Sequence, residues 1–177
     1  HDLPEDARDA LAMIRRNIKI ESHLIDDLLD LTRIARGHLE IVAEPMNVHA
    51  AVMGAVEICE SDIRAKNQTL KVDLDAPEHQ IHGDFNRLQQ VVWNLLKNAS
   101  KFTRRGGDIR VTSRNDADRI IVAVSDNGVG IEPDSLSSIF DAFSQGGEWV
   151  AREFGGLGLG LAISKATVEA HGGTITA

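Results

Sequence analysis

The chain is poor in cysteine, in positive charge and in long apolar runs, and each scarcity removes a class of protein. Its single cysteine, Cys59, can form no internal disulfide, which suits a reducing compartment and makes the cytoplasm the expected location. Lys and Arg number 19 against 27 Asp and Glu, a formal net charge of -8. A long basic track for nucleic acid is therefore not expected, although a local cationic cluster remains open, and an anionic ligand is expected to bring its own metal. No stretch approaches the ~20 apolar residues of a membrane span, and the start, HDLPEDARDA, lacks signal-peptide character. No membrane contact is expected of these residues. The seven histidines offer no close-spaced metal cluster, and His171 before Gly172-Gly173 reads as a helix-end residue.

What is present describes one ordinary globular domain with a small appendage: 177 residues, 42% hydrophobic and 26% charged. From Pro4 to Arg36, Leu11, Ile14, Ile18, Ile25 and Leu28 recur at helical spacing, with Pro4 as a start signal and Gly37 as a stop. A lone amphipathic helix of this kind wants a partner, either the next domain or a second chain. After Gly37, HLEIVAEPMNV alternates like a strand, and a domain boundary near residue 37 follows. Asn47 is placed to cap a helix to about Lys66, QTLKVDLDA and QIHGD read as strands, and Asp84 caps a helix whose Phe85, Leu88, Val92, Leu95, Ala99 and Phe102 are expected in the core. GDIRVTSRNDADRIIVAVSDNG predicts two strands joined by a polar turn at residues 115–118. Residues 144–156 predict a mobile loop, followed by a helix from about Leu157 to His171 and the start of a strand in HGGTITA.

The stretch WNLLKNASKFT at residues 93–103 is odd for a helix, because Asn94, Asn98 and Lys101 form a polar stripe although asparagine is a mediocre helix former. Glycine-rich segments stand at SDNGVGI and GGLGLGLAISK, where backbone N–H groups can approach an anion and the second opens a helix. Neither fits a common nucleotide loop: a Walker motif finds Leu161 where lysine is required, and Gly158-Leu159-Gly160 lacks the third glycine of the dinucleotide fingerprint. Singly, each asparagine reads as solvated and Asp126 as a turn residue.

Together and in order, NLLKNASKFT, SDNGVGI, IFDAF and GGLGLGLAISK resemble the N box, first glycine box, F box and second glycine box of sensor histidine kinases. These belong to the wider superfamily of gyrase, Hsp90 and mismatch-repair ATPases. IDDLLDLTRIARGHLEI resembles the end of that family's second dimerisation helix and the link that follows it. The resemblance implies a two-layer α/β sandwich, a mixed sheet covered by helices, preceded by one long dimerisation-type helix. On it, residues 1–37 would be that helix, with homodimerisation through it in the full-length protein, and 38–177 the ATP-binding catalytic domain, apparently truncated at its last strand or strands.

The resemblance implies ATP and Mg²⁺ as cofactors. Asn98 would be the metal ligand through its amide oxygen, a donor suited to a hard cation. Asn94 and Lys101 would lie near the phosphates and Phe102 would flank the adenine. Asp126 would accept from the adenine amine. Gly128 and Gly130 would let the backbone pass close to the base, and Ile131 would line its pocket. Gly156, Gly158 and Gly160 would hinge a lid and present N–H groups to the phosphates, Leu157 and Leu159 belong to the same nucleotide-binding segment, and Arg152, in the lid, is a further candidate for a phosphate contact. Leu157 stands where many relatives have threonine, a tolerable departure. Phe140 and Phe143 are expected in the core.

Two absences sharpen the implied activity. Hydrolysing members carry glutamate one turn before the metal-binding asparagine, and here that residue is Asn94, an amide without useful basicity. Transfer of the γ-phosphoryl group is therefore expected rather than hydrolysis, with an ATP-driven switch and a nucleotide-dead dimerisation scaffold as the competing readings. The H box that carries the family's acceptor histidine is also missing, His1 not being taken for it, so no catalytic residue is assigned. The acceptor would lie on a dimerisation domain outside this sequence, and the relay partner would be a response-regulator receiver domain.

Overall fold

The computed structural model describes residues 5–144 and 157–177. The chain forms two compact units, His1–Leu39 and Glu40–Ala177.

The first unit is helix α1 (Glu5–Ala35). Its end is built by Gly37, whose φ of 67° lets Gly37 N–H donate to Ile34 O at 2.9 Å and His38 N–H to Arg33 O at 2.8 Å. These paired bonds satisfy carbonyls that the helix leaves without intrahelical donors. Leu11, Ile14, Ile18, Ile25 and Leu28 are all exposed.

In the second unit the order is β1 (Glu44–Asn47), α2 (Val48–Ala65), β2 (Thr69–Leu74), β3 (Gln80–Gly83), α3 (Phe85–Phe102), β4 (Asp108–Asp116), β5 (Arg119–Asp126), α4 (Pro133–Leu136) and α5 (Gly160–Ala170). A mixed sheet runs β2-β4-β5, with β2 parallel to β4 and β4 antiparallel to β5. β1 and β3 form a separate antiparallel ribbon. Along β4, Ile109, Val111 and Ser113 are buried at a period of two, so one face of the sheet is apolar and must be covered. Leu70, Val72 and Leu74 of β2 and Ile120, Val122 and Val124 of β5 join that face, and α2 and α3 lie over it with Val52, Ala55, Cys59, Val92 and Leu96. The result is a two-layer α/β sandwich. No described helix is long and apolar enough to cross a membrane.

Both predicted helix caps form. Asn47 Oδ1 accepts from Ala50 N–H at 3.3 Å and Asp84 Oδ1 from Arg87 N–H at 3.2 Å, each satisfying an otherwise orphaned donor of the first turn. Four expectations are corrected. Only Glu44–Asn47 of HLEIVAEPMNV becomes a strand, paired with β3, while Val42 N–H ahead of it goes to the Asp84 side chain, Oδ2 at 3.3 Å, instead of to a neighbouring strand. The core face of α3 is Leu88, Val92, Leu96 and Ala99, while Leu95 and Phe102 are half-buried and Phe85 is exposed. α5 begins at Gly160 rather than Leu157, and residues 173–177 form no strand.

The base of α2 is tied to the β2–β3 loop by a histidine pair. The rings of His49 and His79 stack at 4.4 Å between centroids, His49 Nε2 pairs with Ser113 Oγ at 2.9 Å and Val48 N–H donates to His79 O at 2.9 Å. Burial, then the neighbouring His79, holds the His49 pKa below its ordinary 6.5. Protons are thus taken up by the unfolded chain first, so this contribution to stability is complete above about pH 6.5 and is lost as pH falls below it. We expect urea midpoints to drop on acidification from pH 7.5 to 5.5 more in the native chain than in His49→Gln. Equal drops would remove His49 from the effect.

Candidate functional site

Helix α3 is the spine on which both glycine segments are seated. Near its middle, Asn94 is only 5% exposed and its Nδ2 donates to Gly160 O at 3.2 Å and to Ser164 Oγ at 3.4 Å. An added Cβ on Gly160 would lie 3.3 Å from the Asn94 amide, so glycine allows α5 to close on α3 there. At its C-terminal end, Phe102 O accepts from Val129 N–H at 3.3 Å, and a Cβ on Gly128 would stand 2.5 Å from that same oxygen. Asn98 and Lys101 lie between, both half-buried. From Asn94 to Phe102 the helix rises about 12 Å at 1.5 Å per residue, comparable to the reach of an extended nucleoside triphosphate.

The electrostatics suit an anion. Lys101 Nζ sits 4.8 Å over the Phe102 ring, and burial first, then the charges of Lys97 and Lys66, hold its pKa below the ordinary lysine value. Like charges gathered in a chain of net charge -8 are relieved by a bound anion. Among the described residues no side chain caps the first turn of α5, which stands at the positive end of the helix dipole, where an anion is favoured.

At the other glycine turn, Asp126 is exposed and its Oδ1 accepts from Gly128 N–H at 2.9 Å, a side-chain turn of the kind Asp makes. The carboxylate keeps acceptor capacity beyond that one bond. Gly130 takes φ 73°, and Val129 and Ile131 are exposed apolar groups beside it.

Gly158 has φ 69°, its carbonyl accepts from Phe143 N–H at 3.1 Å, and a Cβ on it would run into Ser144 O. Leu157 is exposed and Leu159 buried. Phe143 is not a core residue: it is 63% exposed and left-handed at φ 66°, a conformation that aromatic residues rarely hold. Phe140 is half-buried, and Ile139 is the buried member of that segment. Arg152 and Gly156 lie outside the described residues.

The expected residues therefore divide between the middle and the C-terminal end of one helix. Asn94 with Gly160 marks one, Phe102 with Gly128, Val129 and Asp126 the other. Three supporting residues stand outside the expected set. Ser164, fully buried, donates to Gly160 O at 2.8 Å. Asn127 Oδ1 accepts from Asp108 N–H at 2.8 Å and its Nδ2 donates to Asp108 Oδ2 at 3.0 Å, pinning the glycine turn to β4. Gln68 reaches the end of α3. Of these only Asn127 carries a sequence signal, since it sits inside Asp-Asn-Gly. A separate cleft of about 500 Å³ at the start of α3, lined by Val42, Pro45, Met46 and Phe85 among others, shares no residue with this site.

Residues 83–177 match the family of histidine kinase-, DNA gyrase B- and HSP90-like ATPases. The circadian input-output histidine kinase CikA of Synechococcus elongatus is 33% identical over 98% of this chain, which spans 23% of that relative's length. Among solved structures, full-length ShkA in complex with AMPPNP is 27% identical, with TM-score 0.78 over 97% of this chain and 35% of that one. The nucleotide-free catalytic domain of histidine kinase ThkA is 26% identical, with TM-score 0.64 over 75% of this chain and 84% of that one.

Proposed function

The chain belongs to the histidine kinase-, DNA gyrase B- and HSP90-like ATPase family, and on that premise we propose that it is the Mg²⁺-ATP-binding catalytic part of a two-component sensor histidine kinase. In this reading Glu40–Ala177 holds the nucleotide, and α1 belongs to the dimerisation domain of a cytoplasmic kinase region whose parent works as a homodimer. The γ-phosphoryl group goes to a histidine on the dimerisation domain and then to a receiver-domain aspartate.

The observation that carries it is the seating of both glycine segments on α3, Gly160 against Asn94 and Gly128 against Phe102 O. A triphosphate laid along this helix would meet Asn98, Lys101 and the N-terminus of α5 with its phosphates, and Asp126 and Ile131 with its base. The donor set fits a divalent cation that keeps most of its ligands elsewhere. Among the described residues no group of three or more His, Cys, Asp or Glu forms an all-protein cage, and Asn98 would hold the cation through its amide oxygen, with nucleotide phosphates and water as its other oxygen ligands. The cation, when bound, would neutralise phosphate charge. The chain's own residues align the γ-phosphorus for an external acceptor, which is most of what phosphoryl transfer asks of a protein.

Asn94 disfavours the hydrolytic reading. Its amide is buried and committed to Gly160 and Ser164, with no basic group to activate water. The test is direct: mix the chain with γ-labelled ATP, Mg²⁺ and a separately made domain carrying the parent's H box. Acid-labile label on that domain supports transfer. A folded, ATP-binding chain that passes no label, or that hydrolyses ATP with no acceptor present, contradicts it.

A further inference from the structure

We propose that Gln68, assisted by Lys66, is a positioning residue that sets the adenine end of the nucleotide site by holding the last turn of α3. This rests on the ATP-binding reading above.

A helix leaves its last four carbonyls without intrahelical donors, and a buried carbonyl without a donor is costly. At the end of α3 every one of them is accounted for. Ala99 O accepts from Thr103 N–H at 3.0 Å and Phe102 O from Val129 N–H. Ser100 O accepts from Gln68 Nε2 at 3.0 Å and from Lys66 Nζ at 2.7 Å. Lys101 O has Lys66 Nζ at 3.5 Å. The second N–H of Gln68 Nε2 goes past the helix to Thr103 O at 2.8 Å, with Arg104 O at 3.4 Å as a longer, shared acceptor, and its Oε1 accepts from Ser100 Oγ at 2.8 Å.

Both ends of one buried amide are thus used, at 7% exposure. The clamp is fixed in turn by its own strand, since Thr69 N–H donates to Gly107 O at 2.9 Å and Gly106 N–H to Lys66 O at 3.1 Å. What it holds is the turn bearing Lys101 and Phe102, whose carbonyl is the seat of Gly128 and Val129. Because only an amide offers donor and acceptor together at that reach, leucine fills the space and loses the grip. The turn then unwinds or shifts, and the Asp126 loop that rests on Phe102 O shifts with it. The contact of Asn94 with α5, about 9 Å from Ser100 along α3, has no bond to Gln68 and stays put, while Lys101 moves with the turn.

The experiment compares Mg²⁺-ATP, Mg²⁺-GTP and Mg²⁺-tripolyphosphate binding in the wild type, Gln68→Leu, Lys66→Met and the core control Val56→Ala. Gln68→Leu is expected to lose about tenfold in ATP affinity and much of its preference for ATP over GTP, with tripolyphosphate binding weakened by a clearly smaller factor through Lys101. Lys66→Met, which also removes a positive charge beside Lys101, should lower the preference for ATP over GTP in the same direction by a smaller factor, and it keeps the question answerable if Gln68→Leu does not fold. Val56→Ala should lower the unfolding midpoint without moving either affinity. Variants that lose stability alone, or that weaken ATP and tripolyphosphate equally, would overturn the positioning role. A wild type that binds no ATP would instead overturn the nucleotide reading beneath it.

Discussion

Gly128→Ala is expected to lose at least about 100-fold in ATP affinity while the chain stays folded, the scale of a misplaced binding group. The new methyl carbon would lie 2.5 Å from Phe102 O, 2.9 Å from Phe102 C and 2.7 Å from Asp126 Oδ1, distances that no packed carbon tolerates. Two of these atoms are main chain of α3, held by the bonds at its C-terminus, so the glycine turn must give way rather than the helix. Moving it breaks Gly128 N–H to Asp126 Oδ1 and Val129 N–H to Phe102 O, and it carries the Asp126 carboxylate off its position. Gly130→Ala is the calibration. Among the described residues it meets no atom within 4 Å at φ 73°, so its cost within the protein is left-handed strain, about 1–2 kcal/mol, to which any contact with the base adds. Isothermal titration of both variants checks the ranking; equal losses would mean that contact with Phe102 O does not set the turn.

The second large effect concerns stability. Leu96 is fully buried on the face of α3 that meets α2 and the sheet, in one cluster with Val52, Ala55, Val92, Ile109 and Val111. Leu96→Ala removes three carbons from a place where both layers are already committed to other contacts, so a cavity is expected with little collapse. The cost should be about 2–5 kcal/mol, or roughly 5–15 °C in melting temperature for a chain of this size. Urea denaturation at unchanged slope would report it. A loss below about 1 kcal/mol would mean that α3 is not the central layer of the core.

Helix ends are legible in the sequence because their chemistry is local. Asn47 and Asp84 cap because a short polar side chain reaches an N–H three residues on, and Gly37 stops α1 because only the left-handed region closes its last carbonyls. Long-range partners set what is not legible. The polar stripe of WNLLKNASKFT reads as solvent- or ligand-facing, yet Asn94 is buried by α5, sixty-six positions away in sequence at Gly160. That burial, with Leu96 inward, rotates the apolar face from the one expected. HLEIVAEPMNV alternates as a strand should but is denied a partner along most of its length. Phe143 reads as core because aromatics usually are, yet it is exposed and left-handed, with its N–H given to Gly158 O. Gln68 carries no motif at all. Its meaning lies in carbonyls more than thirty positions away.

The most direct test of the central claim is ATP affinity with and without Mg²⁺, in the native chain and in Asn98→Ala. The native chain should bind Mg²⁺-ATP at least about tenfold more tightly than ATP with EDTA, as expected when one protein ligand helps hold the cation. In Asn98→Ala the two affinities should converge, by loss of the metal-dependent part and little else. A native chain indifferent to Mg²⁺, or a variant weakened equally in both conditions, would contradict the assignment of this site to Mg²⁺-ATP through Asn98.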